Sequence, residues 1–117
     1  MSCTARQIDH LRRQIPRFEC VPGCHDCCGP VTASSEEMSR LPRKSAAEQD
    51  AALAELNCVH LGPHGCQVYD QRPLICRLFG TTASLPCPRG RGPEQPTDAR
   101  VERQVHHLIA TTRQVLV

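Results

Sequence analysis

The 117-residue sequence predicts a small, mainly α-helical domain, irregular and loop-rich, with a minor β-hairpin and too little core to stand unaided. Three observations lead there. Phe18, Phe79 and Tyr69 are the whole aromatic content, with no Trp, so the side chains that bury most area are nearly missing. Ten prolines, seven glycines and a mean hydropathy of −0.39 add loop rather than core. Eight of the nine cysteines fall between Cys20 and Cys87, four of them in one burst, Cys20-Val-Pro-Gly-Cys24-His-Asp-Cys27-Cys28.

Taken in order, Thr4 to Ile15 reads as a helix: Thr4-x-x-Gln7 has capping-box form, Ile8, Leu11 and Ile15 share a face, and Pro16 closes it. Phe18–Pro30 reads as loop. Val31–Ala33 is a short strand leading to Ser34-x-x-Glu37, the start of a brief helix that ends before Pro42. Ser45-x-x-Glu48 is a second capping box, opening an Ala-rich helix over Ala46–Leu56. Cys58-Val-His-Leu61 and Cys66-Gln-Val-Tyr69 flank Gly62-Pro-His-Gly65 as a small hairpin. Asp70 is placed to cap a helix over Gln71–Leu78, with Pro73 in its first turn. Ser84–Pro96 is an exposed loop carrying Cys87. From Asp98, Val101, Val105, Leu108, Thr112 and Leu116 form one stripe, widened by Ile109 and Val115, which predicts a helix of about 18 residues reaching Val117. The chain thus reads as one domain over 1–117, with a cysteine-rich region at 20–87 between flanking helices of about 4–15 and 98–117.

A thiolate is a soft anionic ligand, so this many cysteines must be cross-linked, metal-bound or reactive. The first residues contain no apolar run of the secretory kind, and nothing resembles a membrane span. Those features point to the reducing cytosol, where clustered cysteines bind metal rather than pair. A structural zinc site supplies about 10–16 kcal/mol of apparent binding energy, comparable with the whole net stability of a domain, about 5–15 kcal/mol. Cys24-x-x-Cys27 has zinc-site spacing. The adjacent Cys27-Cys28 points to two nearby metals, or to one ligand and one bridging or packing thiol. Cys20, Cys24, Cys27, Cys28, Cys58, Cys66, Cys76 and Cys87 are the expected ligands. Eight thiolates fill two four-coordinate sites and leave no open position, which favours a closed centre over a catalytic one. Such loading would move the net charge from +2 to about −2, so the arginine-rich composition gives no argument for nucleic acid.

The string Cys20-x3-Cys24-x2-Cys27-Cys28, Cys58-x-x-Leu61, then Gly65-Cys66-x-x-Tyr69-x-x-Arg72-Pro73-x-x-Cys76-Arg77-x-Phe79 resembles the YkgJ-type cysteine-cluster family of zinc- or iron-chelating domains. The resemblance spans roughly Cys20–Cys87 and implies eight chelating cysteines with no assigned activity.

Zinc is the favoured ion. Iron, or an iron–sulfur cluster with an electron-transfer role, is the close alternative, because neither ligand type nor count separates the two. The Cys-x3-Cys-x2-Cys spacing also matches the cluster triad of radical S-adenosylmethionine enzymes, but Asp26 stands where those usually carry an aromatic, and their barrel needs a far longer chain. His25, His60 or His64 could replace one thiolate, although surface or structural placement is the ordinary role of each. Arg72 and Arg77 are either counter-charges for thiolates or partners of Asp70 and Glu55. Tyr69 and Phe79 read as core, and Cys3 as an exposed thiol outside the cluster. No catalytic constellation is visible and no membrane contact is expected. A zinc-stabilised module for nucleic acid or protein is a further alternative, weakened for nucleic acid by scattered basic residues and scarce aromatics.

Overall fold

The computed structural model describes residues 3–17, 29–63 and 65–117. Helix α1 (Cys3–Gln14) buries Ala5, Ile8 and Leu11 on one face, and Ile15 extends that stripe just past its end. Thr4 lies inside the helix rather than capping it. Arg12 and Arg13 occupy the last turn, where positive charge opposes the helix dipole. Helix α5 (Ala99–Thr111) faces α1 with Val101, Val105 and Leu108. The short helix α4 (Leu74–Leu78) contributes Leu74 and Leu78 to the same cluster. Among the described residues this core is wholly aliphatic, as the scarcity of aromatics leads one to expect.

Strand β1 (Thr32–Ser34) runs straight into α2 (Ser35–Met38), and Ser34 caps that helix reciprocally with Glu37. Helix α3 (Ala46–Ala54) begins with the expected Ser45–Glu48 box. Hydrogen bonds from Ser45 to the Glu48 carboxylate lower its pKa. α3 buries no residue and ends two residues before Leu56. Leu56 takes a left-handed φ of 57°, with Leu56 N–H donating to the Leu53 carbonyl and Asn57 N–H to that of Ala52. This is the C-terminal cap that favours glycine. Leu56 is also 71% exposed, so Leu56→Gly should stabilise the fold by about 0.5–1 kcal/mol, measurable as a higher denaturation midpoint.

The expected hairpin is present but short. β2 (Leu61–Gly62) and β3 (Gly65–Cys66) pair antiparallel, Leu61 with Cys66 and Gly62 with Gly65, and Gln67 N–H extends the ladder to the His60 carbonyl at 2.9 Å. Gly65 has φ +112°, a backbone that side chains rarely allow.

Two further expectations fail. Asp70 does not cap α4: residues Tyr69–Gln71 form a single 3-10 turn, and Pro73 stands at the N-cap with no side-chain bond of its own. The expected cap of α4 comes instead from another helix, through the Glu37 carboxylate. The last helix also stops at Thr111, not Val117. Thr111 and Thr112 turn their hydroxyls back onto the His107 and Leu108 carbonyls, satisfying the helix end. The chain then continues as β4 (Gln114–Leu116), antiparallel to β1 with Thr32 opposite Leu116 and Ser34 opposite Gln114. Leu116 is therefore exposed, while Val117 joins a second cluster with Ala33 and Leu41. Leu108→Ala should cost about 2–4 kcal/mol, whereas Leu116→Ala should stay within about 0.5 kcal/mol. Comparable losses in a urea titration would restore the long helix.

Residues 84–96 form the expected loop. Its far end is pinned by Thr97, whose backbone N–H and hydroxyl donate to the carbonyl and hydroxyl of Thr81 at 2.7 and 2.9 Å. Among the described residues, no helix is long and apolar enough to cross a membrane.

Candidate metal centre

Three cysteines from three separate elements line one small pocket of about 50 Å³. Cys58 comes from the segment after α3, Cys66 from β3 and Cys76 from the middle of α4. The walls are mostly apolar: Val68, Pro73, Phe79 and Val117. Gly29, the residue following the cysteine burst, lines the pocket as well. Cys20, Cys24, Cys27 and Cys28, with His25 and His64, lie outside the described residues. Cys87 is on the 84–96 loop and does not line the pocket; its Sγ accepts the Arg89 N–H at 3.4 Å. Cys3 is an exposed thiol on α1.

Each wall is set by local structure. Glu37 Oε1 accepts from the Ser34 amide at 3.2 Å and from the Ser34 hydroxyl at 2.9 Å, while Oε2 accepts the Leu74 N–H at 2.6 Å. One buried carboxylate thus closes α2 and fixes the first turn of α4, two residues before Cys76. The other end of α4 is closed by Thr81, whose hydroxyl donates to the Arg77 and Leu78 carbonyls. On the opposite wall, the Cys58 Sγ accepts the His60 N–H at 3.5 Å. Cys58 also packs against the Ala33, Leu41 and Val117 cluster, which ties the pocket to the β1–β4 pair.

Electrostatics separate the two arginines that flank Cys76 in sequence. Arg72 lines the pocket, stacks over the Tyr69 ring at 3.9 Å and donates Nε–H to the Tyr69 carbonyl. Arg77 instead donates to the Arg72 and Asp70 carbonyls, clamping the turn before α4, and burial lowers its pKa to about 10. The Asp70 carboxylate pairs with Arg17. Arg72 thus lines the pocket while Arg77 clamps the turn before α4, a division the sequence left open. Phe79, expected as core, forms pocket wall.

Burial pushes the Cys76 thiol up to about 12, reinforced by Cys58 and Cys66 and eased by Arg72. A mostly apolar pocket lined by three cysteines resists bare thiolate charge, and a bound cation is the species that would reverse this. His60 is buried as well, at 2% exposure, and its Nδ1 has no hydrogen-bond partner among the described residues. Both features suit a metal. Among the described residues, however, no group of three or more His, Cys, Asp or Glu side chains is placed to hold a metal ion, so the pocket's own donors do not make a site by themselves.

The family model for CxxCxxCC, a "putative zinc- or iron-chelating domain", matches residues 19–105. The chain belongs to the CxxCxxCC family. The matched stretch begins just before Cys20 and runs past Cys87 into α5, so it takes in all eight clustered cysteines. The first gap of this CxxCxxCC member holds three residues, Val21-Pro22-Gly23, where the family's name has two. No curated protein and no solved structure gives a significant match. Membership makes this a metal-chelating domain, and pocket and family point to the same chemistry.

Proposed function

We propose that the protein holds zinc in closed thiolate sites, and that the metal serves as the missing part of its core. The observation that carries this reading is the convergence of Cys58, Cys66 and Cys76 on one apolar pocket that Gly29 also lines. Cys20, Cys24, Cys27 and Cys28 precede that glycine directly and are the natural donors to complete the coordination. Cys87 is the remaining thiol of the eight. Bound there, the ion supplies cross-linking: it ties α4, the hairpin and the post-α3 segment to the N-terminal burst. The chain's own residues do the rest. Glu37 and Thr81 hold α4 in place, Arg72 offsets thiolate charge, and Val68, Phe79 and Val117 wall off water. A full thiolate shell leaves no position for substrate, so the role is structural and no catalytic residue is proposed.

Iron is the competing ion, and the same pocket would suit a cluster whose potential is tuned by N–H···S bonds and burial. Elemental analysis and a visible spectrum of anaerobically purified protein decide between them. Zinc at about two per chain with no band near ~400 nm is expected, because its filled d shell gives none. Iron with acid-labile sulfide would overturn the zinc assignment and make the protein an electron carrier.

A further inference from the structure

His60 is the residue in the pocket that the cysteine pattern does not explain. It is 2% exposed, it lines the same cavity as Cys58, Cys66 and Cys76, and its Nδ1 is a buried polar atom without a hydrogen-bond partner among the described residues. Its position is fixed on both sides of the backbone. The N–H donates to Cys58 Sγ at 3.5 Å, and the carbonyl accepts from Gln67 N–H at 2.9 Å, in line with the β2–β3 ladder. A buried nitrogen left unpaired costs about 1–3 kcal/mol, and a phenyl ring would fill the same apolar wall without that cost. An unpaired buried group of this kind calls for an ion or a functional role.

We propose that His60 Nδ1 is a direct metal ligand, so that one site of the cluster is mixed, with three thiolates and one imidazole. The proposal rests on the thiolate-metal reading above and adds a donor outside the eight cysteines. One cysteine is then released from coordination, and Cys87, which does not line the pocket, is that cysteine.

The test compares zinc-loaded wild-type protein with His60→Phe and His60→Cys, by X-ray absorption at the zinc edge and by chelator competition. Wild type should show nitrogen at about 2.0–2.1 Å beside sulfur at about 2.3 Å. His60→Phe should lose the nitrogen shell and bind zinc at least ~10-fold more weakly, the scale of a lost ligand-sphere group. His60→Cys should restore tight binding with sulfur alone. An all-sulfur shell in the wild type overturns the proposal whatever the variants do. So does a nitrogen shell that survives in His60→Phe, or unchanged affinity in that variant with a higher melting temperature. Failure of the wild type to bind zinc at all overturns the underlying thiolate reading instead.

Discussion

Replacing Cys76 by serine is expected to remove metal from the pocket and abolish the cooperative thermal transition. Serine nearly preserves the volume but presents a hard hydroxyl in place of a soft thiolate. Leu74 and Leu78 anchor α4 in the core while Cys76, between them, lines the pocket, so a ligand lost here unties that helix from the metal. The size of the effect follows from comparing two scales. Structural zinc contributes about 10–16 kcal/mol, while a domain of this length retains only about 5–15 kcal/mol in total. With few aromatics to compensate, the apo chain should melt at least ~15 °C lower or without a cooperative step. Cys3→Ser, on the exposed end of α1, should match the wild type in both melting and metal content. Calorimetry with metal analysis checks both variants, and an unaltered transition in Cys76→Ser would remove that thiol from the ligand set.

Glu37→Ala should destabilise the metal-loaded protein by about 3 kcal/mol, lowering its melting temperature by roughly 15 °C. The carboxylate accepts from the Ser34 amide and hydroxyl and from the Leu74 N–H, and hydrogen bonds to a charged group are worth about 1.5–3 kcal/mol each. Truncation leaves the Leu74 N–H at the start of α4 without its carboxylate. Glu37→Gln keeps an acceptor oxygen and should lose about half as much. The effect should also reach the metal, because α4 carries Cys76: Glu37→Ala should release zinc to a competing chelator faster than wild type. A loss below about 0.5 kcal/mol, the size of an ordinary surface change, would show that the carboxylate is not the anchor of α4.

Glu37 also shows where reading the sequence stops. Ser34-x-x-Glu37 announces a capping box, and the box is present, because both partners lie within one turn of chain. The second bond, to Leu74 across 37 residues, has no local signature. Helices α1 and α3 were legible for the same local reason, through stripe spacing or a reciprocal cap. The end of α5 was misread because Leu116 continues the helical stripe in register, and the pairing of β4 with β1 that overrides it joins residues 80 or more positions apart. In the site, the cysteine string and its family were legible as a pattern. Which cysteines share a pocket was not, because Cys58, Cys66 and Cys76 lie on separate elements whose packing places them around it. His60 was visible only as one of three candidate histidines, and its burial with an unpaired Nδ1 is a property of the fold.

The most direct test of the central claim is the count of reactive thiols in reduced, metal-loaded protein, before and after a strong chelator. Bound thiolates are protected from alkylation, so of the nine cysteines the loaded protein should expose Cys3, joined by Cys87 where His60 takes its place, and keep the rest silent. Chelation should release all nine as the fold loosens. Nine thiols reacting at one rate before any chelator is added would contradict the account, as would cysteines that stay silent after chelation and appear only on further reduction.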